Sequence, residues 1–288
     1  MLETSLASAR DRAAEDTRAE RPWLAVWTLC ERELVRFIRQ PNRVVGAIGQ
    51  PILFWGLFGA GLGPSFRLPQ PGAAGVSYVE YFFPGALVLI VLFTAIFTTI
   101  SVIEDRREGF LQSVLVAPIP RWAMVLGKLA GGTLLAVAQG MLFLVLGLTI
   151  GLRFDVVQLA AIFALVTAMA LGLTGLGFVI AWRMESTQGF HAIMNLLLMP
   201  LWLLSGAFFP AAGWLAWLMR ANPLTYGVAG LRRLLYLNKA GQGGEAMAAY
   251  LATQPSMAIC WMVTIAFAAV MFFWSCRVAR MRTTGDSP

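Results

Sequence analysis

The sequence predicts an all-α polytopic membrane protein with six transmembrane helices, and three observations carry that expectation. Of 288 residues, 58% are hydrophobic and only 13% are charged, and the mean hydropathy is +0.71. A soluble domain has roughly 45–50% apolar and about 25% charged residues, so this chain lacks the polar surface that a water-facing fold needs. Six apolar stretches, each about as long as a membrane span, are delimited by flanking charges. Those stretches are continuous and not alternating, which excludes barrel strands. The same composition excludes a soluble single-domain enzyme and an intrinsically disordered chain.

Residues 1–22 mix both charge signs and contain no apolar core. They read as a disordered cytosolic leader and not as a signal peptide. Residues 23–43 are strongly two-faced. At about 100° per residue, Trp23, Trp27, Cys30, Leu34 and Phe37 share a narrow arc, and Arg32, Arg36, Arg39 and Arg43 lie opposite. That pattern describes an amphipathic helix in the interface plane, with its arginines toward anionic headgroups or a cytosolic protein. A plain membrane-entry helix fits equally well.

The six-helix transmembrane domain occupies 44–277, with expected spans at 44–63, 81–103, 129–152, 156–182, about 190–209 and about 256–276, and a cytosolic tail at 278–288. Trp and Tyr near several ends suit an interfacial belt. An even number of spans puts both termini on one side. With the termini cytosolic, sixteen Lys and Arg lie inside and six outside, which fixes that orientation.

Two connections stand out. The cytosolic loop 104–121 opens with Glu104, Asp105, Arg106, Arg107 and Glu108, then Gly109, and continues with Phe110, Leu111, Val114 and Leu115 at helical spacing until Pro118 and Pro120 stop it. A helix with exposed apolar residues beside charges of both signs suits docking of another protein, or packing on the membrane surface. The external segment 210–238 has a short apolar piece at Trp214, Trp217 and Leu218 and a second stripe at Leu224, Val228, Leu231 and Leu235. Neither is long enough to span the bilayer, so a re-entrant hairpin or a surface lid is expected.

The absences are informative too. Gly127-Lys128 is the only Gly-Lys pair, without the upstream glycine or following Ser/Thr of a phosphate cradle, so the chain has no motif of its own for binding ATP. Three dispersed cysteines and one histidine, His191, give no metal site. His191 is the only ionisable residue inside the expected spans, which argues against ion-coupled transport. Polar residues such as Thr94, Thr98, Thr99, Thr133 and Gln139 either link helices or line a path for an amphipathic molecule. The pairs Gly59/Gly63, Gly127/Gly131 and Gly147/Gly151 would permit close helix approach. No internal repeat is evident.

Three motifs in order resemble the ABC-2 type exporter permeases: Asp105 to Leu111 leading to Val116-Ala117-Pro118, Leu204-Ser205-Gly206-Ala207-Phe208-Phe209-Pro210, and Asn222-Pro223-Leu224-Thr225-Tyr226 followed by Gly230-Leu231-Arg232. The chain departs from the family pattern at Phe110, where members often carry Thr, and at Gln112, where they often carry an acidic residue. The resemblance implies a homodimer of permease chains in the cell membrane, with an amphipathic or lipid-linked substrate. It also implies a separate cytosolic ABC ATPase that holds the ATP and Mg. No cofactor is expected on this chain, it is not an enzyme on this reading, and no nucleic acid is expected as partner. Glu104 to Leu111, Val114 and Leu115 would form the coupling segment, braced by the Trp23–Arg43 helix. Pro210, Asn222, Pro223, Tyr226 and Arg232 would mark the outer hairpin. On the residues alone, a membrane-embedded lipid or glycosyl transferase using Glu104, Asp105 and Glu108, or a non-transporting scaffold, also stays open.

Overall fold

A computed structural model describes residues 22–63, 76–210, 213–238 and 242–281. The expected leader at 1–22 and the tail from 282 lie outside the described residues, Pro22 apart. Every regular element among the described residues is helical. In chain order the α-helices are α1 (Pro22–Ile38), α2 (Pro41–Leu62), α3 (Tyr78–Phe97), α4 (Ile100–Arg107), α5 (Phe110–Val116), α6 (Arg121–Leu144), α7 (Val156–Ala181), α8 (Thr187–Leu203), α9 (Leu215–Ala221), α10 (Pro223–Leu235), α11 (Gln242–Ala252) and α12 (Met257–Val278), and a 3-10 helix, Val145–Ile150, continues α6.

Four helical stretches are long and apolar enough to cross a membrane: Tyr78–Arg107, Arg121–Ile150, Val156–Ala181 and Met257–Val278. The shortest of them has 22 residues, about 33 Å at about 1.5 Å per residue, against a hydrocarbon core of about 30 Å. They differ in depth. The Tyr78–Arg107 rod is 89% buried within the molecule over its apolar window, and Met257–Val278 only 22%. The first is therefore the central axis, and the last presents Met262, Ile265, Val270 and Phe273 outward.

Several boundaries differ from the sequence expectation, each for a local reason. The 23–43 helix ends at Ile38, and Pro41 opens α2, so Arg43 belongs to the next element and its side chain lies outside the described residues. The 129–152 stretch starts eight residues earlier, at Arg121, which carries Lys128 two turns into a helix. The 190–209 stretch is shorter, a 17-residue α8 started by Ser186 and ended at Leu203, because Gly206 takes a left-handed φ of 73° and turns the chain. A further helix, α11, lies between α10 and α12, where the sequence expectation has none. Asp155 starts α7 with a capping box, its carboxylate accepting from the Gln158 N–H at 2.7 Å.

Glycines set the tightest contacts. A Cβ on Gly127 would meet Leu29 Cβ at 2.8 Å and the Val26 carbonyl at 2.9 Å, and one on Gly131 would meet Glu33 Cβ at 2.6 Å. This pair seats α1 against α6. The other two pairs do not work as pairs, since Gly63 and Gly151 have nothing within 4 Å.

Candidate functional site: a charged elbow and an outer clasp

The helix α1 has three faces, not two. Leu29, Cys30, Glu33 and Phe37 are buried toward α6, whereas Trp23 and Trp27, on the apolar arc expected to face the membrane interface, are about two-thirds exposed. Trp23 meets Trp122 edge-on at 5.6 Å. The arginine face turns toward the protein. Arg32 donates to both carboxylate oxygens of Asp105 at 2.9 and 2.7 Å, and Arg36 donates to one of them at 2.9 Å. Arg36 also pairs with Glu104 at 3.2 Å and Glu108 at 3.3 Å. Arg39 stays exposed beside Arg36 and Glu108.

From the other side Lys128 reaches both Asp105 and Glu33, and all three are buried. A buried charge survives only when it is paired and hydrogen-bonded, and Asp105, fully buried, meets three cations from two helices. Burial alone would lower the Arg32 pKa, but the Asp105 carboxylate outweighs it and holds the guanidinium above its ordinary value. The same guanidinium lies 3.7 Å over the Phe110 ring.

The elbow itself is made by Gly109, whose φ of 76° admits no ordinary side chain without strain and lets α4 turn into α5. On α5, Leu111 is buried and Phe110, Val114 and Leu115 are half-buried against the core. The expectation that these four would be exposed is therefore corrected. The outward residues are Gln112, Ser113 and Val116, the last 84% exposed. Between α1 and α5 lies an apolar groove of about 530 Å³, walled by Ala25, Thr28 and Leu29 on one side and Phe110 and Val114 on the other. One residue further around α4, Arg106 donates to the carbonyls of Trp182 at 2.6 Å and Met184 at 3.2 Å, and Arg107 to that of Glu185 at 3.0 Å.

At the opposite end of the Tyr78–Arg107 rod is a second cluster. Residues 81 and 105 are about 36 Å apart along a helix at about 1.5 Å per residue. Arg232, 1% exposed, donates to the carbonyls of Tyr81 and Gly206, both at 3.1 Å, and lies 4.4 Å from the Tyr81 ring centre. Pro84 has no N–H to give to the carbonyl of Glu80, and the Tyr236 hydroxyl fills that place at 2.6 Å. Asn222 caps α10 through the Leu224 N–H, with Pro223 at its first position, and donates to the Leu201 carbonyl at 2.6 Å. The Tyr226 hydroxyl closes onto the Arg220 carbonyl at 2.9 Å. Pro210, half-buried, ends the turn that follows α8. The stripe Leu224, Val228, Leu231 and Leu235 is fully buried against α3, α7 and α12, while Trp214 and Trp217 on α9 are exposed.

Comparison with known proteins is decisive for family. Residues 24–236 match the model for the ABC-2 type transporter family. The chain belongs to that family. Among its relatives, a putative transport permease ycf38 of Cyanophora paradoxa is 26% identical over 73% of each chain. The daunorubicin resistance ABC transporter permease protein DrrB1 of Streptomyces coeruleorubidus is 24% identical over 80% of each. The inner membrane transport permease YadH of Escherichia coli K12 is 25% identical over 73% of this chain and 82% of its own length.

In this ABC-2 family member, the expected site residues fall into two groups. Glu104, Asp105, Glu108, Phe110, Arg32 and Arg36 converge at the elbow; Asn222, Pro223, Tyr226 and Arg232 gather at the clasp at the opposite end of the rod. Sequence reasoning missed Glu33 and Lys128, and with them Tyr81, Tyr236 and Tyr250 around Arg232. A lone lysine between Gly127 and Gly131 was the available signal for the first pair. His191 is exposed, with its ring 5.0 Å from that of Phe97. Among the described residues no group of His, Cys, Asp or Glu could hold a metal ion.

Proposed function

We propose that this chain is the membrane permease of an ATP-driven exporter, with α2, the Tyr78–Arg107 rod, α6, α7, α8 and α12 as its six spans and both termini in the cytosol. The carrying observation is the Asp105 hub, which binds the arginine face of α1 and Lys128 of α6 to a glycine elbow whose outer surface is open. A hub of that kind turns a push on α5 into movement of α1, α4 and α6 together. A separate cytosolic ABC ATPase, binding ATP and Mg on its own chain, supplies the push at Gln112, Ser113, Val116 and the groove beside them. Two copies of the permease enclose the substrate path. The substrate is amphipathic or lipid-linked; the drug-resistance name of one relative supports that class.

The transferase reading loses its support here, because Asp105 is buried and committed to three cations. Inside-out vesicles carrying the chain and its cognate ABC ATPase should concentrate a fluorescent amphipathic drug when ATP is added, and vesicles with the chain alone should not. ATP-independent accumulation by the chain alone, or none across a panel of amphipathic and lipid-linked probes with both proteins present, contradicts the proposal.

A further inference from the structure

The last turn of α4 holds two different partners. Asp105 faces α1 and α6, while its neighbours Arg106 and Arg107 reach the 182–186 connection that joins α7 to α8. All three acceptors there are backbone carbonyls: Trp182 and Met184 for Arg106, and Glu185 for Arg107. The Arg106 guanidinium also sits 5.4 Å from the Trp182 ring centre. Ser186 follows at once as the N-cap of α8. The elbow thus holds the inner end of α8 by its main-chain carbonyls, so a displacement carried by the two arginines acts on the backbone of the connection.

The outer end of α8 is held in the same manner. Trp202 donates to the Gly85 carbonyl at 2.9 Å. The turn beyond it offers the carbonyl of Gly206 to the Tyr81 hydroxyl at 3.0 Å and to Arg232, and that of Phe208 to the Tyr78 hydroxyl at 3.2 Å. Asn222 takes the Leu201 carbonyl at 2.6 Å. Between these two grips α8 packs along one narrow stripe, Phe190, Met194, Leu198 and Trp202, and Ile193 and Leu196 on its flank are exposed. A helix gripped at both ends and packed along one stripe between them can carry a displacement from one grip to the other.

We propose that α8 is a second output of the elbow: Arg106 and Arg107 are positioning residues that pass its displacement through the 182–186 connection to α8, and α8 passes it to the outer turn at 204–210. This rests on the coupling reading above and adds a route that bypasses α3. Two reporters separate the two. In a background with Cys30, Cys260 and Cys276 replaced by Ala, a single cysteine is placed either at Phe209, in the outer turn, or at Ser77, at the outer start of α3. Labelling by a membrane-impermeant maleimide is then followed in proteoliposomes of the permease–ATPase complex, before and after trapping with ATP and vanadate.

Trapping should change the labelling rate at both positions in the parent protein. The doubly substituted Arg106→Gln, Arg107→Gln chain should lose the response at 209 and keep it at 77. Inserting two glycines between Glu185 and Ser186 leaves both arginines in place but adds slack before α8, and should do the same. Arg106→Lys, which can still donate to one carbonyl, should restore part of the 209 response in the Arg107→Gln chain. A 209 response that persists in both the doubly substituted and the inserted chain overturns the inference, since α3 alone then moves the outer turn. Loss at both positions overturns it as well, because the arginines then serve the elbow as a whole. A parent protein silent at 77 and 209 contradicts the coupling reading itself.

Discussion

Asp105 shows how much a single buried carboxylate can organise. It is fully buried, and its two oxygens are shared among Arg32, Arg36 and Lys128, with Glu33 balancing the lysine from α1. Removing one partner of a buried ion cluster leaves the others unneutralised, so Asp105→Asn should cost about 3–5 kcal/mol. Unfolding followed by tryptophan fluorescence in detergent checks this, and a variant as stable as the parent would mean that the cluster is solvated and contributes little. Adding Lys128→Met to Asp105→Asn should cost less than the two single changes together, because the pair acts as a unit. The charges at 104–108 were conspicuous in the sequence as a cluster, but their partners were not. Glu33 and Lys128 lie 95 positions apart, and only the seating of α1 on two glycines of α6 brings them together.

At the scale of elements, legibility followed the strength of the local signal. The start of α12 was marked by Ser256 after Pro255, because the serine oxygen accepts from the Ile259 N–H as a cap, and the stripe of α10 by its spacing, because one face of that helix meets apolar neighbours. The end of α8 was not readable. Residues 204–209 are as apolar as a helix, and the turn there depends on side chains of Tyr81 and Arg232 that arrive from distant elements. The helix α1 was assigned two faces because periodicity separates apolar from charged residues, but it cannot tell a solvated arginine from one that meets a buried aspartate. The glycine contact offers a direct test of that packing. Gly131→Val places a branched side chain where a Cβ alone already lies 2.6 Å from Glu33 Cβ and 3.2 Å from the Cys30 carbonyl. Overpacking of this sort costs about 1–3 kcal/mol, so α1 should lift from α6 and tryptic cleavage at Arg36 and Arg39 should accelerate, with the α7–α12 pair still protected. Unchanged cleavage would show that α1 is held chiefly by the charges.

For the molecule as a whole, the central feature is a division between one end crowded with paired charges and the opposite end closed by aromatic rings and one arginine, joined by the Tyr78–Arg107 rod. The chain's family and its all-helical, membrane-crossing architecture are legible in its residues, and its only Gly-Lys pair, Gly127-Lys128, is buried in a helix contact and occupied with carboxylates. The most direct test is the rate of ATP hydrolysis in nanodiscs by the chain alone, by its cognate ABC ATPase, and by the two together, with the parent chain and with Val116→Asp. That residue is 84% exposed at the end of α5, so its replacement should leave the fold intact. The chain alone should hydrolyse nothing, the parent chain should change the rate of the ATPase, and Val116→Asp should abolish that change. Hydrolysis by the chain alone, or a full response with Val116→Asp, would contradict the coupling of this permease through its elbow.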